Sequence, residues 1–321
     1  MSEKNNPEPS KKPVENIASR GHAQTARRAL WEKRLALEAR YKRRRRPVWG
    51  TVMAAGLEVC LRCAGLWRRG RRNAARPVLR YETFTLSRLP SAFDGFRILL
   101  LSDFHARQSS DELENLEVLL KPVTVDLCVM VGDYRFNSAA PGEWACHYLD
   151  NLLPFIDSRE GTMGVLGNND TSEFVEEFES RGVKMLVNEG FALTRQGMSI
   201  WIGGVDDPEK FRTDSVAEAV CGRPQRMFTI LSAHSPAAFR DAANCNVDLY
   251  LCGHTHGGQI RSRRGKVLGF NTRAPRETCR GQWSYCGMDG FTSAGLGTTA
   301  VPVRFNCPPE AVCIELRCAT I

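Results

Sequence analysis

Five short apolar runs in this chain each lead directly into a residue with a metal-binding side chain, and that coupling narrows the folds open to it. The runs cover residues 96–102, 126–131, 162–166, 228–232 and 247–252. Short apolar runs bounded by turn residues read as buried strands. At their ends stand Asp103 and His105 in Ser102-Asp103-Phe104-His105, Asp133 in Gly132-Asp133-Tyr134, and Asn168 in Gly167-Asn168-Asn169-Asp170. His234 follows in Ala233-His234-Ser235, then His254 and His256 in Gly253-His254-Thr255-His256-Gly257. Open α/β sheets gather ligands at the carboxyl ends of their strands. Carboxylates, imidazoles and one amide oxygen collected there make a site for two divalent cations. Taken singly these residues mean little, since an Asp or Gly-Asn after a strand is usually a turn or a helix cap. Their joint order carries the reading. Four of the six histidines fall in it, and His22 and His147 read as surface.

The segments between the runs are helical in pattern at 109–121, 142–157 and 172–181. Further strands are expected at 184–187, 191–195, 199–205, 291–295 and 312–317. Residues 261–290, rich in Gly and Arg, read as a long excursion after the last ligand pair, of the kind that lines a substrate cleft. No Gly-x-Ser-x-Gly or P-loop pattern points to another chemistry.

Charge divides the chain. Residues 1–72 hold 19 Lys/Arg and 6 Asp/Glu, a net +13 that leaves the remainder at −5. They read as a basic leader preceding a catalytic domain at 78–321. The leader is disordered in composition to about residue 15 and a polar helix from 23 to 46. Residues 47–67 then form an apolar stretch long enough to span a bilayer. Glu58 and Arg62 lie near its centre, at roughly 3 kcal/mol each, against about half a kcal/mol returned by each Leu or Val. The helical stripe Thr51, Ala55, Glu58, Arg62, Gly65 opposes Val48, Val52, Val59 and Leu66, the pattern of an interfacial helix. Basic residues within 42–72 suit an anionic membrane surface. Nucleic acid is the competing partner for such an arm, disfavoured by the adjoining apolar segment, and a solvated spacer is the third reading. The twelve cysteines form no disulfide framework, and Cys60-x-x-Cys63 lacks a second pair at zinc-ribbon distance. The expectation is a reduced catalytic domain at the cytoplasmic face of an inner membrane, of unspecified oligomeric state.

The ordered motifs Asp-x-His, Gly-Asp, Gly-Asn, His and Gly-His-x-His resemble the calcineurin-like metallophosphoesterase superfamily from about Val78 to Arg317. Gly295-Leu296-Gly297 with Val301-Pro302-Val303-Arg304-Phe305-Asn306-Cys307-Pro308-Pro309-Glu310 looks like the bacterial membrane-associated branch that includes UDP-2,3-diacylglucosamine pyrophosphatases. The resemblance implies a four-layer α/β sandwich of two mixed sheets flanked by helices. It implies Asp103, His105, Asp133 and His256 on one metal, and Asp133, Asn168, His234 and His254 on the second. The catalytic set is then Asp103, Asp133, Asn168, Asp170 and His234. Mn²⁺ suits this N/O set best, with Fe²⁺ or Zn²⁺ as alternatives. The sequence departs from the superfamily at Asn169, where a His is usual and is thought to protonate the leaving oxygen. An amide has no titratable proton near neutral pH. That favours a lipid-linked or nucleotide diphosphate, with a general phosphodiesterase or phosphatase, or a degenerate non-catalytic scaffold, as alternatives.

Overall fold

The computed structural model describes residues 23–42, 48–108, 111–267 and 270–319. Its first sheet runs β1 (Val78–Leu86), β14 (Glu310–Cys318), β2 (Phe96–Leu101), β4 (Leu127–Met130), β6 (Thr162–Gly164), β7 (Val183–Met185). Strands β2, β4, β6 and β7 are mutually parallel, and β14 pairs antiparallel to β2 and parallel to β1. The second sheet runs β12 (Gly281–Tyr285), β13 (Met288–Thr292), β11 (Leu249–Cys252), β10 (Thr229–Ser232), β9 (Met198–Gly204), β8 (Glu189–Arg195). Its four central strands are parallel and both edges antiparallel. A small ladder joins β3 (Thr124–Val125) to β5 (Asp157–Ser158).

The apolar runs are continuous because both sheet faces are covered, as parallel strands require. In β2, Phe96, Ile98 and Leu100 enter the space between the sheets, meeting Ile202, Ile230 and Leu251. Leu99 and Leu101 point the other way, toward α4 (Asp111–Leu120), α5 (Gly142–Leu152) and α6 (Glu173–Glu179). Helices α7 (Val216–Ala219) and α8 (Phe239–Asn244) cover the outer face of the second sheet. The result is a mixed α/β sandwich of two sheets flanked by helices.

Residues 281–285 form β12 and 288–290 begin β13, so the expected excursion ends ten residues earlier. Its composition concealed an edge strand in which exposed Gln282 and Ser284 alternate with buried Gly281 and Trp283.

The leader folds onto this domain at two places. Helix α1 (Ala23–Lys42) buries Arg34 and Glu38 against it. Helix α2 (Val48–Cys63) ends where Gly65 takes a left-handed φ of 67°, with Leu66 N donating to Leu61 O at 2.9 Å. That is a glycine-terminated helix end. At 16 residues α2 is about 24 Å long, below the roughly 30 Å hydrocarbon core. No described helix is long and apolar enough to cross a membrane. Helix α3 (Trp67–Ala74) places Gly70 against the side chains of Val303 and Phe305, and Arg304 N donates to Gly70 O at 3.0 Å. The basic run at 43–46 lies outside the described residues.

Candidate metal centre

The loops after β2, β4 and β6 in one sheet and after β10 and β11 in the other meet across the sandwich. Two groups of ligand atoms converge there, Asp103, His105 and His256 in one and Asp133, His234 and His254 in the other, each within 4.8 Å. In the first, His105 Nε2 lies 3.0 Å from His256 Nε2, and His256 Nε2 lies 3.4 Å from Asp103 Oδ1. In the second, His234 Nε2 is 3.0 Å from Asn168 Oδ1 and 3.1 Å from His254 Nδ1. Asp133 stands between them, with Oδ2 3.6 Å from His105 Nε2 and Oδ1 3.5 Å from His234 Nε2.

These donor atoms fit cations better than they fit one another. His105 and His234 each turn Nδ1 to a backbone carbonyl, Phe136 O at 2.9 Å and Val131 O at 2.8 Å. His254 turns Nε2 to Asn271 O at 2.7 Å. A ring nitrogen that donates to a carbonyl leaves the other as a lone pair, the arrangement a metal-binding imidazole uses. The buried Asp103 Oδ1 has no hydrogen-bond partner in the structure. Two carboxylates and four imidazoles facing inward suit two divalent cations.

Backbone strain holds the geometry. Asp103, His105, Asp133, His254 and His256 all adopt φ between 45° and 71°, a region non-glycine residues rarely occupy. Such strain concentrates at functional sites. Gly167 packs so closely that any side chain there would collide with the backbone nitrogen and carboxylate of Asp133.

Asp170, expected among the catalytic groups, turns both oxygens to backbone amides: Asp133 N at 2.8 Å, Gly167 N at 2.7 Å and Arg135 N at 3.2 Å. Its contacts are those of a brace for two ligand loops. Asn169 donates to Asp133 Oδ1 through its backbone N at 2.8 Å and to Oδ2 through Nδ2 at 2.7 Å. Two further residues, Glu209 and Lys210, carry no sequence signal. Glu209 accepts from Ser235 Oγ at 2.7 Å and lies 3.9 Å from His254 Nε2. Lys210 donates to Asn168 O at 3.1 Å and to Ser138 Oγ at 2.7 Å. The fully buried Arg304 donates to the carbonyls of Ala294, Gly295 and Gly297, behind Asp103 and His105. Arg304 was visible only as part of the tail motif, whose structural role this explains.

Burial opposes charge on His256 and, against the pull of Asp103, brings it down to about 3. Burial opposes charge on His234 too, but Asp133 and Asp103 outweigh it and raise that imidazole to about 10. A cation entering at His234 therefore displaces a proton throughout the neutral range, and its affinity should rise with pH. Metal titrations at pH 6.5, 7.5 and 8.5 should show this site tightening by about tenfold per pH unit. Equal affinities at the three values would remove the proton from His234.

Several relatives of the chain are named for a metallophosphoesterase domain. The calcineurin-like phosphoesterase family model matches residues 96–258. The uncharacterized metallophosphoesterase YkuE of Bacillus subtilis is 26% identical over 251 residues, 74% of this chain and 84% of that protein. The transmembrane protein with metallophosphoesterase domain of Bos taurus is 32% identical over 213 residues, 59% of this chain and 46% of that protein. Among solved structures, phosphopantetheinyl hydrolase of Mycobacterium tuberculosis superposes with a TM-score of 0.36 at 13% identity, over 64% of this chain and 91% of that one. Matched across half its length and carrying two groups of metal-ligating side chains, the chain belongs to the calcineurin-like phosphoesterase family, and is a metal-dependent phosphohydrolase.

Proposed function

We propose that Asp103, His105, Asp133 and His256 hold one cation and Asp133, Asn168, His234 and His254 the other. The reaction is hydrolysis of a lipid-linked or nucleotide diphosphate at an anionic membrane surface. The observation that carries the two-cation reading is Asp133, which turns one carboxylate oxygen toward each group of imidazoles. When bound, two divalent cations supply Lewis acidity and a hydroxide nucleophile at neutral pH. Mn²⁺ is the first candidate, with Fe²⁺ or Zn²⁺ next.

The preference for a diphosphate rests on Asn169. Its amide has no proton to give near neutral pH and donates to Asp133 instead. A phosphate leaving group, with a pKa near 6, departs without an acid. An alkoxide does not. Lys210, joined through Ser138 to the Asn169 side chain, adds a positive charge beside the loop that carries Asn168.

The membrane reading rests on α2. Val52, Met53, Leu57 and Val59 are exposed on it, Met53 by 74% and Val59 by 58%. Arg62 pairs with Glu58 at 2.7 Å, which lessens the charge of that stripe. Helix α3 continues with Arg68, Arg69, Arg71 and Arg72. Its Arg71 lines a cavity of about 420 Å³ with Arg107, Phe136 and Thr298, next to His105. UDP-2,3-diacylglucosamine combines a diphosphate for such a centre with acyl chains for such a surface. The transmembrane character named for the Bos taurus relative accords with the same placement.

Three outcomes test the proposal. Asp133→Asn should lower hydrolysis of a nitrophenyl phosphodiester at saturating Mn²⁺ by more than tenfold, because it removes the shared charge. Activity above a tenth of wild type would end the two-cation reading.

Rates across a series of diesters should fall steeply as leaving-group pKa rises, since general acid catalysis is worth on the order of 10² to 10⁴. Asn169→His should selectively raise the alkyl substrates. A shallow series with no gain in the variant would show that another group, Lys210 foremost, already supplies the proton.

The full chain should sediment with phosphatidylglycerol vesicles and not with phosphatidylcholine. Met53→Glu with Val59→Glu should release it while sparing hydrolysis of a water-soluble ester. Unchanged sedimentation of that variant would move the contact away from α2.

A further inference from the structure

Helix α1 is rich in charged residues, and it buries an arginine completely. Arg34 is 0% exposed. Its Nη1 donates to the Asp206 carboxylate, its Nε to Glu38 Oε1 at 2.7 Å, and its Nη2 to the backbone carbonyl of Asp170 at 2.8 Å. The guanidinium also sits over Phe211, its Cζ 3.8 Å from the ring centroid, and Tyr41 meets the same ring edge-on at 5.7 Å. Glu38 continues the network to Ser172, accepting from its N at 2.9 Å and its Oγ at 2.8 Å.

A buried ion network of this kind seldom adds much net stability, because desolvation offsets most of the attraction. Its consequence lies in what it fixes. Asp170 and Ser172 end the loop that carries Asn168 and Asn169. Asp206 opens the loop that carries Glu209, beside His254 and Ser235, and Lys210, bonded to Asn168 O. Both loops flank the group formed by Asp133, His234 and His254. The loop after β2, which carries Asp103 and His105, and the loop after β11, which carries both His254 and His256, receive no bond from Arg34. The ligand whose own loop Arg34 grips is Asn168, proposed for the second cation alone.

We infer that Arg34 is a positioning residue for the second cation, so that α1 is part of the catalytic unit and not a detachable leader. The inference rests on the two-cation reading and sharpens it: Asn168, on the loop that Arg34 grips, belongs to the second site alone. Arg34 touches neither the ligand atoms nor the substrate. It acts through the Asp170 carbonyl and the Asp206 carboxylate, which hold the two loops in register.

The test measures Mn²⁺ binding by the full chain, reading free Mn²⁺ by electron paramagnetic resonance. Wild type should bind two equivalents; a single equivalent would sink the two-cation reading itself, before Arg34 is in question. Arg34→Met leaves Asp206 and Glu38 buried without their cation, so it should both melt earlier and lose second-site affinity. Arg34→Met combined with Asp206→Asn and Glu38→Gln removes both unpaired charges and should recover most of the thermal stability. If Arg34 positions the second site, the triple variant still binds its second Mn²⁺ at least tenfold more weakly, with the first unchanged. Wild-type affinity at both sites in the triple variant would overturn the inference, and so would equal weakening at both, the sign of general loosening. Arg34→Lys keeps the charge but cannot reach three acceptors at once. It should fold and lose affinity at the second site alone, which keeps the test decisive should the triple variant fail to fold.

Discussion

Asp133 sits buried between two groups of imidazoles, and most of the architecture can be understood as a way of keeping its carboxylate ionised there. Burial works against the charge. His234, His105 and the Asn169 amide overcome it and hold this carboxyl well below the usual carboxylate range. No single strand can surround one carboxylate with donors on two sides. The chain supplies them from two parallel-stranded sheets whose carboxyl ends meet, with loops short enough to stay rigid. The left-handed residues at five ligand positions and the close approach of Gly167 follow from fitting those loops into one buried volume.

What was legible in the sequence was whatever depends on near neighbours. Phe96 to Leu101 reads as a buried strand because both faces are covered, and each ligand follows its strand within a few residues. The strand at 281–285 was hidden because its pairing is with β13 across a tight turn at Cys286-Gly287, while Gly and Arg dominate the flanking composition. Asp170 illustrates a different limit. Its place in the motif suggests chemistry, yet its oxygens bind backbone amides, and nothing in a sequence distinguishes an aspartate aimed at a cation from one aimed at the chain behind it.

The burial of Arg34 and of Arg304 was illegible for different reasons. Both guanidiniums are fully buried, but Asp206 lies 172 residues from Arg34. Arg304 instead bonds the carbonyls of Ala294, Gly295 and Gly297, seven to ten residues back in a loop whose path composition does not show. They solve the cost of burial differently. Arg304 spends its donors on backbone carbonyls and has its pKa lowered by burial, whereas Arg34 is matched by two carboxylates. Both organise loops rather than presenting charge to solvent. A composition-based reading counts both as surface cations, and so overstates the basic character available to a partner.

The remaining basic charge is not spread evenly either, and its position relative to the metal centre bears on substrate. Helix α3 does three things within eight residues. It continues from the apolar α2, it packs Gly70 on Val303 and Phe305, and through Arg71 it forms a wall of the cavity beside His105. A helix fixed to the domain at its middle cannot tilt α2 freely, so the exposed apolar side chains of α2 keep a set relation to that cavity. On the proposed reading, a substrate with a phosphorylated head and an apolar body need not leave the surface to be hydrolysed. In the same proposal, the head enters past Arg71 and Arg107 while the body remains with α2. A soluble nucleotide would gain the first contact and not the second. Comparing diphosphates with and without an acyl chain therefore reports on α3 as much as on the cations.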